Sequence, residues 1–199
     1  TEATDAASVG RMRDEALACF GQIDILANIV GGSQGPTFSR GLLLELDKSD
    51  FMEAFNINVG SVFVCCHEIV PHMLERKSGV VINMASIAGL AGVGSSIAYA
   101  ASKGALLTMT KSLARVLGPE IRVNAICPYY TRTPMLEGGE GLASGGEAEQ
   151  TLAMMAAGSP MKRIGEPEEI VAVMLMLLSP ANTYMNGQAI AVDGGVSAF

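Results

Sequence analysis

Apolar positions recur every three to four residues at the start of the chain. Val9, Met12, Leu17 and Phe20 fall on one side, so the spacing predicts a helix over Ala6–Phe20 that Gly21 stops. A short strand follows at Gln22–Val30 and ends in Gly31-Gly32. Helical spacing returns at Asp47–Asn58 and again at Val59–Arg76, where Pro71 is expected to kink the helix. Gly79–Ser86 reads as a buried strand around Val80-Val81-Ile82, and Ile97–Leu117 as a long helix closed by Gly118-Pro119. Ile121–Cys127 is a further strand, stopped by Pro128. A mobile glycine-rich loop is expected at Glu137–Gly146 and a helix at Glu147–Ala157. Pro167–Leu178 carries proline in its first turn, with Glu168 and Glu169 near the positive end of the helix dipole. Gln188–Val192 is the last strand, before Asp193-Gly194-Gly195.

Strands apolar on both faces that alternate with helices need cover on both sides. The pattern therefore predicts an α/β fold, a doubly wound parallel sheet, in one domain spanning 1–199. In such sheets the ligand crevice lies at the carboxyl ends of the strands. Residues from Asn28 to Gly32, from Ser86 onward, from Pro128 to Thr133 and from Asp193 onward are placed there.

Composition narrows the function classes. Hydrophobic residues make up 49% of 199 and charged residues 17%, enough apolar surface for a large core. Lys and Arg total 13 against 20 Asp and Glu, a net charge of −7 without basic runs, which argues against nucleic acid and anionic membranes as partners. No unbroken apolar run reaches the roughly 18 residues of a spanning helix. Cys19, Cys65, Cys66 and Cys127 have no zinc-ligand spacing, and a reducing, cytoplasmic setting is expected. His67 and His72 share no ligand register with another His or carboxylate, so no metal site is assigned.

Candidate chemistry centres on Tyr99 and Lys103, four apart and so one turn apart on one helix face. An ammonium beside a phenol favours the phenolate, which would lower the Tyr99 pKa and make it a general acid/base. Ser86, thirteen residues earlier, ends a strand at the crevice and could bond a substrate oxygen, or could satisfy local backbone. Asn58 sits between two helical stretches, where its amide could bond a buried main-chain group or hold a water. Pro128–Thr133 could offer backbone groups and a hydroxyl to a flat amide, or form a tight turn.

Together these residues resemble the short-chain dehydrogenase/reductase family. The marks are Ser86 followed by Tyr99-Ala-Ala-Ser-Lys103, then Arg122-Val-Asn-Ala-Ile-Cys-Pro128, Arg163-Ile-Gly-Glu-Pro-Glu-Glu169 and Gly187-Gln-Ala-Ile-Ala-Val-Asp-Gly-Gly195, in the family's order. The resemblance implies a Rossmann-like fold and an oxidoreductase that uses NAD or NADP to interconvert a secondary alcohol and a ketone. It implies Tyr99 as acid/base, Lys103 lowering its pKa and bonding the nicotinamide ribose, Ser86 holding the substrate oxygen, and Asn58 completing a proton relay through a water. It implies Thr133 on the carboxamide, with Asn28, Gly31, Pro128 and Thr131 also at the cofactor.

The chain departs from the family at several points. Asn28-Ile29-Val30-Gly31 stands where Asn-Asn-Ala-Gly is usual, Tyr129 where a glycine follows the proline, and Thr131 where an aliphatic residue is usual. Tyr129 is expected to reshape the nicotinamide loop or add an aromatic wall for substrate, beside Met135 and Leu136. The family's glycine-rich phosphate turn falls before residue 1, so the parent protein is expected to be longer, its first strands covering the edge at Gln22–Val30. Met135–Met161 is expected to form a substrate lid. Its Leu136, Leu142, Leu152, Met154 and Met155 imply a small apolar substrate. The resemblance also implies a homo-oligomer, a dimer or tetramer, through helices 59–76 and 97–117. Two other functions stay open: a non-catalytic protein keeping the fold for assembly, and reduction of a carrier-bound acyl ketone.

Overall fold

The structure is a computed structural model that describes residues 1–33, 35, 41–94, 96–137 and 148–198. Its elements, in chain order, are α1 (Ala6–Phe20), β1 (Ile25–Asn28), α2 (Lys48–Phe55), α3 (Ser61–Glu75), β2 (Gly79–Met84), α4 (Ala88–Ala91), α5 (Ile97–Leu117), β3 (Ile121–Pro128), α6 (Pro134–Glu137), α7 (Ala148–Gly158), α8 (Pro167–Leu178) and β4 (Ala189–Val192). The four strands form one parallel sheet in the order β1-β2-β3-β4.

Alternation along the strands builds two cores. Val81, Val123, Ala125 and Cys127 face α1, α3 and α5, where they meet Val9, Ile69 and Leu106. Ile82 and Ile126 face the other way and meet Ile170 and Leu177 of α8. The sheet is thus covered on both faces, as an all-parallel sheet must be. Helix starts follow their capping residues. Asp5 accepts hydrogen bonds from the Ala7 and Ser8 amides, Ser96 accepts one from the Tyr99 amide, and Glu166 and Glu169 form a capping box around Pro167.

The two helices expected at Asp47–Asn58 and Val59–Arg76 are one rod. A π turn at Asn56–Gly60 joins α2 to α3, and the helix runs on through Pro71. The wider turn inserts a residue into the helical count, so the apolar pattern changes phase there and reads as a break. By length and composition the joined helix, Lys48–Glu75, could cross a membrane. Here Val62, Ile69, Val70 and Met73 are buried in the main core, so it is a core helix. Strand β1 forms one edge of the sheet, with Ile25, Ile29 and Val30 exposed around it. Beyond Glu137, the glycine-rich segment expected at Glu137–Gly146 lies outside the described residues.

Candidate active site

Tyr99 lies in the first turn of α5, which Ser96 caps, and Lys103 lies one turn on. Lys103 is only 3% exposed, and its Nζ donates to the Met84 carbonyl at the end of β2, 2.8 Å away. An ammonium has three N–H groups. Among the described residues this bond takes one of them, leaving two for a ligand. Burial pushes the Lys103 pKa down to about 8, and only a thiolate at nearby Cys127 would act the other way. The Cys127 thiol, also buried, is pushed up to about 11 and stays neutral. Sequence reasoning missed this neighbour, because the alternation of β3 marks it only as core.

Ser86 comes two residues after β2 rather than at its end, and its Oγ accepts from the Ala88 amide at 3.1 Å. Its hydroxyl lies near enough to the Tyr99 hydroxyl to favour the phenolate. The two hydroxyls expected to act on one substrate oxygen are therefore together. The expected lowering of the Tyr99 pKa is not what the structure shows. Burial pushes the phenol above its ordinary value, and the nearby Ser86 hydroxyl only partly offsets this. The reason is geometric. The Lys103 Nζ lies over the tyrosine ring, 5.7 Å from its centroid, and its hydrogen bond among the described residues goes to the Met84 carbonyl.

Asn58 sits in the π turn and is fully buried. Its amide nitrogen donates to the Gly32 and Ala54 carbonyls at 2.9 and 3.0 Å, and its Oδ1 accepts from the Gly32 amide at 3.0 Å. It thus clamps the loop that leaves β1. Gly31 stands beside it. A Cβ there would lie 2.6 Å from Asn58 Oδ1 and 3.0 Å from Lys103 Nζ, so any larger residue would fill the gap between those two polar atoms. Asn28 is buried one strand over and donates to Asn83 Oδ1 at 2.9 Å, tying β1 to β2.

The β3 exit behaves differently from expectation. Thr131 turns its hydroxyl back onto the Tyr129 carbonyl at 3.2 Å and bridges to Gly165, so it fixes its own loop. Thr133 ends this run, its carbonyl accepting from the Leu136 amide as α6 begins. Met135 is exposed, but Leu136 is 3% exposed and packs with Ile164, Tyr130, Leu152, Met155 and Ala156. Leu136 is therefore a packing residue in this structure. The rings of Tyr129 and Tyr130 lie 4.5 Å apart, centroid to centroid. The Tyr129 hydroxyl points to the Met155 carbonyl of α7, and Tyr130 lies near Tyr99. Sequence reasoning missed Tyr130, and its only signal was a second aromatic at the strand exit. Both tyrosines line an open cleft of about 290 Å³ with Arg163, Glu169 and Asp193, from which Asn58, Ser86, Tyr99 and Lys103 are absent. Among the described residues no His, Cys, Asp and Glu group could hold a metal.

A family model described as enoyl-(acyl carrier protein) reductase matches residues 1–197. The chain belongs to the short-chain dehydrogenase/reductase family. It is 32% identical over 194 residues to the 3-oxoacyl-(acyl-carrier-protein) reductase FabG of Thermotoga maritima, covering 97% of this chain and 74% of that protein. It is 36% identical over 191 residues to the 3alpha-hydroxysteroid dehydrogenase of Mediterraneibacter gnavus, covering 96% of this chain and 71% of that protein. Among solved structures, levodione reductase superposes with a TM-score of 0.92 at 31% identity, over 100% of this chain and 76% of that one. ElxO with NADP bound superposes with a TM-score of 0.89 at 26% identity, over 100% and 77%. The chain is an oxidoreductase of this family, NAD(P)-dependent and acting on CH–OH groups. Its residues fit the nicotinamide end of the dinucleotide. The buried Lys103 has two N–H donors to give, and the gap kept by Gly31 opens beside it.

Proposed function

We propose that this short-chain dehydrogenase/reductase interconverts a small apolar secondary alcohol and its ketone, with Tyr99 as the acid/base. The observation that carries the reading is the Tyr99 phenol placed near Ser86, with the buried Lys103 ammonium over its ring. In reduction, Tyr99 gives its proton to the substrate oxygen as the carbonyl becomes a hydroxyl. In oxidation it takes that proton back. When bound, the nicotinamide supplies or accepts the hydride. Ser86 holds the same substrate oxygen through its hydroxyl. Lys103 bonds the ribose and favours the phenolate when Tyr99 gives up its proton. Asn58 and Lys103 flank the gap at Gly31, and a water shared between them would pass the proton onward. Asn28, Gly31, Pro128, Thr131 and Thr133 complete the wall against the nicotinamide, Thr131 by shaping the loop and Thr133 by its hydroxyl. Tyr129, Tyr130 and Met135 border the substrate side.

The 199 residues act as one domain in this reading, with α7 over the substrate side. Apolar residues left exposed on α3 and α5, Phe63 and Val116, support a homo-oligomer through those helices, and the setting is the cytoplasm. A second reading, reduction of a carrier-bound acyl ketone, draws on the likeness to the Thermotoga maritima reductase. Turnover of carrier-bound against free ketones decides between the two.

The test pairs nicotinamide fluorescence with turnover. NADH or NADPH binds the unaltered protein. Tyr99→Phe keeps that binding and loses roughly 10²- to 10⁴-fold in kcat. Equal turnover by Tyr99→Phe would overturn the acid/base role. Absence of nucleotide binding and turnover in the unaltered protein would favour a fold kept for assembly.

A further inference from the structure

The residue that departs most from the family pattern, Tyr129, makes a contact that a glycine could not. Its backbone amide is fixed to β4, donating to the Val192 carbonyl at 3.2 Å. Its ring packs against the main core and against Tyr130. The hydroxyl then reaches α7, where it donates to the Met155 carbonyl at 3.4 Å. Gly158 closes the other side. A Cβ at Gly158 would stand 2.9 Å from the Tyr129 oxygen, so the C-terminal turn of α7 can approach only because no side chain is there.

Helix α7 needs such a tie. None of its residues is buried. Leu152, Met155 and Ala156 are only partly covered, in the small cluster around Leu136, Ile164 and Tyr130. A helix with no buried residue gains little from packing and is easily displaced.

We infer that Tyr129 is a positioning residue that pins the C-terminal turn of α7 to the exit of β3, and so sets how the substrate side is held relative to Tyr99. This rests on the reading of α7 as lying over the substrate. The tie joins two elements that otherwise meet through the small apolar cluster around Leu136 and Ile164. Its Gly158 half and its Tyr129 half are interdependent, because the same oxygen meets both the Met155 carbonyl and the glycine.

The test uses Tyr129→Phe, which keeps the ring and removes the oxygen, and Gly158→Ala, which keeps the oxygen and blocks its seat. Tyr129→Phe is expected to raise KM for the alcohol roughly two- to tenfold, the worth of one neutral hydrogen bond, with kcat and nucleotide affinity within twofold of the unaltered protein. Amide exchange across residues 148–158 is expected to quicken while that of α5 stays unchanged. Gly158→Ala should raise KM more when Tyr129 is present than when it is combined with Tyr129→Phe, because the phenyl ring leaves room for the methyl. Additive effects of the two changes would overturn the inference. So would a Tyr129→Phe protein whose KM and exchange at 148–158 match the unaltered one, or whose nucleotide affinity falls as far as its substrate affinity. If the unaltered protein does not turn over, the catalytic reading fails. The exchange measurement then still decides whether Tyr129 holds α7.

Discussion

The two sides of the crevice are built by different means. On the α5 side, Lys103 and Asn58 are buried and bonded to backbone carbonyls of β2, the loop after β1 and α2, and the Asn28–Asn83–Thr110 chain runs through the core beneath them. On the α7 side the helix itself buries no residue, and its ties are two tyrosine rings, one long hydrogen bond, partly covered side chains against Leu136 and Ile164, and Ser159 just past its end, bonded to the Gly194 carbonyl. Buried polar groups demand partners with fixed geometry, so the first side has one arrangement. Partly exposed apolar contacts tolerate exchange, so under the proposed function the second can vary with the substrate without disturbing Tyr99.

The sharpest way to break this comparison is Lys103→Met. Activity should fall roughly 10²- to 10⁴-fold, as for loss of a general acid/base partner. Stability should move the other way at neutral pH. In the unfolded chain this lysine titrates near 10.5, and in the fold burial holds it at about 8. Between those values the unfolded chain binds the extra proton, so the contribution of Lys103 to stability rises with pH through that window and is unfavourable below it. The difference in unfolding free energy, unaltered protein minus Lys103→Met, should therefore grow by about 3 kcal/mol from pH 8 to pH 10.5. Urea unfolding of both proteins at several pH values checks this. A flat difference would mean that the ammonium is not desolvated.

The same contrast explains what the sequence revealed. Periodicity located α1, α5 and α8 to the residue, because long amphipathic helices carry caps and many repeats of their pattern. Three strands came out too long at their ends, whereas β3 runs one residue past the expected Ile121–Cys127, with Pro128 paired to Val192. Gln22–Val30 reduces to Ile25–Asn28, because apolar residues continue past the last ladder bond. The π turn was illegible, since one inserted residue reads as a helix boundary. At the site, Tyr99 and Lys103 were legible from helix spacing and Ser86 from its place after a strand. The Met84 carbonyl and the Gly32 amide were not, because backbone groups have no sequence identity. The direction of the Tyr99 pKa was misread because spacing reveals a neighbouring charge but not burial, and burial dominates. On the α7 side the exchange of roles between Leu136 and Tyr130 was illegible, because a loop has no period to assign faces.

A smaller effect is expected within the rigid side itself. Asn83 is fully buried, accepting from Asn28 and donating to Thr110 Oγ1, each at 2.9 Å. Asn83→Leu removes both bonds at once and leaves the buried Asn28 amide only its contact with Cys66 Sγ, at a cost of about 1–3 kcal/mol. Urea midpoints check this, and combining it with Thr110→Val should give less than the sum of the single changes, since the two share a bond. Nucleotide affinity should fall with stability only if the chain positions α5 as well as holding it.

The smallest effect should come from the loose side. Leu152 is one of the partly covered side chains on α7, so Leu152→Ala should cost about 1 kcal/mol in urea unfolding. The same truncation at Leu106 in α5, 1% exposed, leaves a closed cavity and belongs to the class that costs about 2–5 kcal/mol. The Leu106→Ala protein should keep its KM for as long as it stays folded, because its loss is spread over the core. The Leu152→Ala protein should show a raised KM at nearly full stability, because what it loses is the fit between α7 and the tyrosine pair. Equal stability losses at the two leucines would mean that α7 is as firmly seated as α5, and the division of the crevice into a fixed and an adjustable side would fail.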